Sequence, residues 1–63
     1  MAERDLKELA RLVGELKELA TRARQLSTEN LAAERNLYVI LQHIEMLEIE
    51  ISDPIRVLHG DPL

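Results

Sequence analysis

The stretch QLSTEN, residues 25–30, decides the fold predicted for this chain. Ser27 and Asn30 are residue types that cap helix N-termini, and the apolar periodicity on either side stops here. The stretch has neither glycine nor proline, so the competing prediction is one uninterrupted helix of about 50 residues. That helix would carry polar residues, Glu48 among them, in its apolar seam and would make a poor coiled coil. We therefore predict a turn at about residues 27–30.

Before the turn, the sequence predicts helix 1 at about residues 3–26. Its apolar residues recur every three or four positions and form one stripe along the helix. The stripe comprises Leu6, Leu9, Val13, Leu16, Ala20 and Ala23, with Leu12, Leu19 and Leu26 beside it at a spacing of seven. Gly14 falls on the polar side, where it is either a tolerated weak spot or a point at which another chain approaches closely.

After the turn, helix 2 is predicted at about residues 29–52, and its apolar residues nearly surround it. The main stripe comprises Leu37, Ile40, Leu41, Ile44, Leu47 and Ile51. A second stripe, Tyr38, Val39, Met46 and Ile49, lies on nearly the opposite side. The main stripe matches the stripe of helix 1, whereas the second stripe has no partner within a two-helix hairpin. We expect helix 2 to end before Pro54, with a short C-terminal turn or helix at 54–59.

The charges are divided unequally between the two halves of the chain. Residues 1–26 hold six basic and five acidic side chains, a net charge of +1, and residues 27–63 hold two basic and seven acidic, a net charge of −5, which together give the −4 of the whole chain. An antiparallel hairpin would bring the acids near the end of helix 2 beside Arg4, Lys7 and Arg11 of helix 1. This balance favours the hairpin, and the net negative charge argues against a nucleic-acid partner.

The chain is too small to stabilise itself easily. It has 63 residues and no cysteine, and domains of this size usually need a disulfide, a metal or a partner subunit. We therefore predict an all-α, antiparallel helical hairpin, a single unit over 1–63, that dimerises into a four-helix bundle or forms a higher oligomer. The charged N-terminus and the short apolar runs predict a cytoplasmic protein without a membrane partner.

No motif for chemistry is recognisable in the sequence. The HExxH spacing of zinc helices and the ExxH spacing of di-iron bundles do not occur, and no phosphate-binding glycine loop is present. We accordingly predict no catalytic, cofactor-binding or metal-binding residues. An enzyme that shares a site between chains would have to use His43, Tyr38 and Glu48, and the sequence suggests no substrate for it.

The function predicted from these patterns is a small non-enzymatic oligomerisation or protein-interaction module, regulatory or adaptor-like. Its predicted oligomer core is Leu6, Leu9, Val13, Leu16, Leu19, Leu37, Ile40, Leu41, Ile44, Leu47 and Ile51. Its candidate partner patch is the second stripe, Tyr38, Val39, Met46 and Ile49, and Glu48 is a candidate for setting register or partner choice. The alternatives are a purely structural or designed self-assembling bundle, and a small bundle that binds RNA through helix 1.

Overall fold

The computed structural model describes residues 2–59, and their side chains as far as Ser52. Two helices account for nearly all of this part of the chain: α1, Glu3–Gln25, and α2, Leu31–His59. They pack against each other, so the predicted all-α hairpin is confirmed and the alternative of one long helix is wrong. The start and end of α1 lie within one residue of the prediction.

Contacts between the helices show that they run antiparallel. Lys17 of α1 pairs with Glu48 of α2, whereas the later residue Arg24 contacts the earlier residue Tyr38. The hairpin is an elongated body of 46 × 20 × 15 Å. Because one helix with its side chains is about 10–12 Å wide, these dimensions correspond to a single layer of two helices.

The turn is held by local hydrogen bonds from the polar residues that predicted it. The Oδ1 atom of Asn30 accepts a hydrogen bond of 3.1 Å from the backbone N–H of Ala33, which caps the start of α2. The hydroxyl of Ser27 donates to the carbonyl of Arg24 at 2.8 Å, and the N–H of Asn30 donates to the carbonyl of Ser27 at 3.0 Å. These bonds satisfy backbone groups that a helix end leaves without partners.

The core of the hairpin is one narrow seam of side chains spaced by seven residues. Leu6, Val13 and Ala20 are buried on α1, and Ile44 and Ile51 are buried on α2. A spacing of seven keeps side chains on the line along which two helices meet in coiled-coil packing. Partly buried side chains border this seam: Leu9, Ala10 and Leu41. A seam of this kind covers one strip of each helix and leaves both flanks open.

The second helix is longer than the sequence predicted. α2 continues through Pro54 to His59, so the predicted end near residue 52 and the separate turn at 54–59 are replaced by one longer helix. Proline lacks an N–H and therefore removes one backbone hydrogen bond from a helix interior, at a cost of about 3 kcal/mol. A long helix that has already formed can continue past such a defect, because adding a residue costs much less than nucleating a new helix.

Candidate functional site

The seam between the helices has two flanks, and the Lys17–Glu48 ion pair marks one of them. Leu16 and Lys17 are one helical step of about 100° apart, so they lie on opposite flanks of the seam on α1. Leu47 and Glu48 likewise lie on opposite flanks of the seam on α2. Because the sense of rotation reverses between antiparallel helices, Leu16 and Leu47 share the flank opposite the ion pair.

Large apolar side chains from both helices line this opposite flank, which we call the apolar face. It consists of Leu12, Leu16 and Leu19 of α1 and Ile40 and Leu47 of α2. Each of them keeps between 40% and 59% of its surface exposed. Single exposed leucines are normal in soluble proteins, but a contiguous apolar patch usually marks an interaction site. The apolar face is therefore the candidate functional site.

The predicted oligomer core is divided between the seam and the apolar face. Leu6, Val13, Ile44 and Ile51 are buried inside the hairpin, Leu9, Leu37 and Leu41 are partly buried, and Leu16, Leu19, Ile40 and Leu47 are exposed on the apolar face. The predicted core omitted Leu12, although its spacing of seven from Leu19 is the signal that places both on one side of α1. Leu26 continues this row and is 88% exposed.

Two polar residues of α2 lie on the same side of that helix as the apolar face. Asn36 and His43 are seven residues apart and fall next to Ile40 and Leu47 on the helix surface. Both polar side chains are exposed. A partner that covers the apolar face would therefore meet His43 near the middle of the covered surface.

The predicted partner patch lies on the outer side of α2, away from the seam. Tyr38 and Ile49 form the edge of this patch nearer Glu48, and Val39 and Met46 form the edge nearer the apolar face. All four side chains are exposed, from 47% for Tyr38 and Val39 to 62% for Ile49. The part of the patch adjacent to the apolar face is thus Val39 with Met46.

Charged and polar contacts occupy the flank that carries the ion pair, which we call the polar side. The Nζ atom of Lys17 donates to Oε1 of Glu48 at 2.9 Å. This hydrogen bond, and then the negative charge of Glu48, raise the pKa of Lys17; partial burial opposes the shift, and Glu45 adds to it. The guanidinium of Arg24 lies over the ring of Tyr38, 5.0 Å from its centroid, and Gln42 donates to the Tyr38 hydroxyl at 3.1 Å. This flank therefore has partners within the chain.

Basic residues elsewhere on α1 also have acidic partners. Arg11 contacts the carboxylates of Glu8 at 2.5 Å and Glu15 at 2.6 Å, and Lys7 lies 3.4 Å from Glu3. The hydrogen bond and the charge of Arg11 lower the pKa of Glu8. Among the described side chains, Lys7 and Arg11 thus pair with acids of α1, and Lys17 supplies the counter-charge for Glu48. Asp53, another acid near the end of helix 2, lies outside the described side chains.

The three residues proposed for an enzymatic site are dispersed. Glu48 bonds to Lys17 and the Tyr38 ring lies under Arg24, whereas His43 is on the flank of the apolar face. Among the described side chains, which end at Ser52, no group of three or more His, Cys, Asp or Glu residues is arranged to hold a metal ion. Within one copy of the chain, therefore, these residues do not form a nucleophile, a base and an orienting group at hydrogen-bond distances.

Comparison of the chain with protein-family models, with curated proteins and with solved structures finds no match. Across the described residues, neither helix has an apolar stretch of sufficient length to span a membrane. Function must accordingly be argued from the surface itself, and the apolar face is its most pronounced feature.

Proposed function

We propose that this chain is a self-association module whose apolar face docks against the same face of a second copy, forming a four-helix bundle. The observation that carries the proposal is the exposure of Leu16, Ile40 and Leu47, at 48%, 44% and 40%, side by side on one flank of the hairpin. Burying an apolar side chain of this size stabilises a protein by about 1.5–3 kcal/mol relative to full exposure. A second layer of helices would bury the exposed part of each side chain in the face and would gain the corresponding part of this free energy.

The spacing of the face supports packing against helices rather than against an irregular surface. Leu12 and Leu19 are seven residues apart on α1, as are Ile40 and Leu47 on α2. This is the repeat that allows side chains to interdigitate between helices inclined by about 20°. The hairpin therefore offers a second set of heptad positions beside the set that forms its own seam. In this proposal the module has no chemistry of its own, and it acts by joining copies of the chain and whatever they carry.

Sedimentation equilibrium across a dilution series, with helicity measured by circular dichroism on the same samples, tests the proposal. We expect a dimer whose helicity decreases only as it dissociates, because the narrow seam alone supplies little core. A fully helical monomer at every concentration would overturn the proposal.

Matched substitutions then locate the contact surface. Leu16→Glu and Ile40→Glu each place a charge within the apolar face and are expected to abolish association. Ile49→Glu makes the same chemical change on α2, at a side chain that is 62% exposed on the other flank, and is expected to leave the dimer intact. Dissociation by Ile49→Glu with no effect of Ile40→Glu would contradict the assignment of the face.

A different protein is the second candidate partner, and the exposure of Val39 and Met46 beyond the apolar face favours it. These side chains are 47% and 56% exposed, and an added helix could lie in the groove between two hairpins and cover them. If Val39 and Met46 bind a different protein, we expect the double variant Val39→Glu with Met46→Glu to leave self-association intact. Loss of the dimer in that variant would assign both residues to the homodimer instead.

A further inference from the structure

Two arginines precede a serine at the turn end of the hairpin. Residues 22–27 read RARQLS, so Arg22 and Arg24 stand five and three residues before Ser27. The ion pairs of the described side chains involve other bases of α1, and none of them includes Arg22 or Arg24. Arg24 instead covers the ring of Tyr38. Both guanidiniums can therefore form charge-assisted hydrogen bonds with carboxylates of another protein.

Ser27 lies outside both helices, in the connection between them. α1 ends at Gln25 and α2 begins at Leu31. The side chain of Ser27 is half-buried, and its hydroxyl donates to the carbonyl of Arg24 at 2.8 Å. A single hydrogen bond of this kind contributes modestly to stability. The hydroxyl can therefore be released from the turn at a small cost.

The turn end of the hairpin is also the end without a buried core. The last buried residue of α1 is Ala20 and the first of α2 is Ile44. The last turn of α1, residues 22–25, can therefore unwind without exposing the core. Unwinding changes how the arginines are presented: Arg22 and Arg24 lie about 200° apart around a helix, but they point to the same side of an extended chain. In the extended form, one groove of a partner can bind both guanidiniums.

We infer that Ser27 is a phosphorylation site for a serine/threonine protein kinase that selects arginine three and five residues before the acceptor. Carboxylates in the kinase groove bind the two guanidiniums, and a charge pattern of this kind determines substrate choice. Oγ of Ser27 attacks the γ-phosphorus of ATP, the bond from that phosphorus to the β–γ bridging oxygen breaks, and ADP leaves. The hydroxyl proton passes to the catalytic aspartate of the kinase. Thr28 is out of register, because Arg24 and Arg22 precede it by four and six residues. This inference does not depend on the proposed self-association.

Phosphorylation of the full chain in vitro tests the inference. The probe is the purified catalytic domain of a kinase with this arginine selectivity, together with magnesium and ATP, and mass spectrometry locates the modified residue. We expect one phosphate per chain on Ser27, and none in Ser27→Ala. Thr28→Ala is the matched control, because it removes the neighbouring hydroxyl and should leave the rate unchanged. Circular dichroism of each variant shows whether the hairpin remains helical.

Substitution of the arginines tests the basis of recognition. Arg22→Gln and Arg24→Gln each remove one guanidinium and are expected to lower kcat/KM of the kinase for the chain by about 10-fold or more, since hydrogen bonds between charged groups are the strong ones. Arg35→Gln makes the same chemical change at an exposed arginine of α2 and should leave kcat/KM unchanged. Equal values for all three variants would contradict the inference.

A synthetic peptide of residues 20–32 provides the reference for an unfolded site. We expect both the peptide and the full chain to accept phosphate, and the peptide to react faster, because the full chain must first unwind the last turn of α1. If the peptide is phosphorylated and the full chain is not, the fold protects Ser27 and the inference is wrong. If neither is phosphorylated, or if the phosphate is found on Thr28, the arginine pattern does not select Ser27 and the inference is equally wrong.

Discussion

The two flanks of the hairpin differ in whether the chain supplies their partners. On the polar side, Glu48 bonds to Lys17, and the aromatic ring of Tyr38 is covered by Arg24. On the apolar face, Leu16 and Leu47 are about half exposed, at 48% and 40%, with no layer of the described structure over them. The comparison shows that the hairpin pairs polar groups on one flank within the chain and leaves the apolar side chains of the other flank about half exposed. The proposed second layer of helices would cover them.

This asymmetry has a simple physical origin. Polar partners can be found between adjacent turns of one helix or across one seam, because a hydrogen bond needs only two groups. Burial of apolar area requires neighbours on every side, and a domain of about 60 residues leaves about 40% of its unfolded-chain surface exposed. A two-helix hairpin can therefore pair its polar groups on one flank while the apolar side chains of the other flank stay exposed.

The largest expected effect concerns the seam that both flanks share. Ile44 is the most buried side chain described, with 2% of its surface exposed. We expect Ile44→Ala to lower the free energy of unfolding by about 2–4 kcal/mol, through lost burial and the cavity that remains. Urea unfolding followed by circular dichroism measures this loss.

The control for that experiment is Ile49→Ala, which removes the same atoms from a side chain that is 62% exposed. Its effect should stay within about 0.5 kcal/mol, as is usual for surface positions. A comparable loss at both positions would show that Ile49 is also buried in solution. In that case the polar side is covered too, and the contrast between the flanks disappears.

The second largest expected effect concerns the turn that joins the two helices. Asn30→Ala removes the side-chain oxygen that accepts from the N–H of Ala33 at the start of α2. Loss of an N-cap costs about 1 kcal/mol, and we expect a decrease of that size in urea unfolding. Asn36→Ala, inside the same helix and exposed, should have no destabilising effect on the hairpin. A smaller loss at Asn30 than at Asn36 would contradict the assignment of Asn30 as the cap.

The prediction of the hairpin from sequence depended on residues of this kind. Ser27 and Asn30 predicted a turn because their short polar side chains bond to nearby backbone groups, a property that does not depend on the rest of the fold. The helical repeat likewise predicted the apolar stripes. It could not predict which flank of each stripe is covered, because this depends on how the helices are rotated against each other. The sequence did not predict that α2 continues through Pro54, because the free-energy cost of proline inside a helix was expected to end the helix there.

A smaller effect, an increase in the free energy of unfolding, tests whether the polar side is free of contact with another chain. A Cβ atom added at Gly14 would meet no atom within 4 Å outside its own stretch of helix. Because glycine is about 1 kcal/mol less favourable than alanine inside a helix, we expect Gly14→Ala to raise the free energy of unfolding by about 0.5–1 kcal/mol. Thermal unfolding measures the gain, and sedimentation should show unchanged association.

Leu12→Ala provides the contrast on α1, since it shortens a side chain of the apolar face and should weaken association instead. If Gly14→Ala weakens association as much as Leu12→Ala does, another chain approaches the polar side at Gly14. The two flanks would then both be interfaces, and the bundle would have to extend beyond a dimer.

The smallest expected effect is that of the Lys17–Glu48 pair, and its pH dependence has a definite sign. The hydrogen bond to Glu48 raises the pKa of Lys17 above its ordinary value of 10.5. A group whose pKa is raised by folding stabilises the folded chain below the unfolded pKa, and this contribution disappears as the pH rises through the folded value. The melting temperature of the natural chain should therefore exceed that of Lys17→Gln slightly at pH 7, and the difference should shrink as the pH rises above 10.5, the ordinary pKa of the group. High salt should reduce it only in part, because both side chains are about 60% covered. A difference that stays the same across this pH range would show that Lys17 acts through packing rather than through its charge.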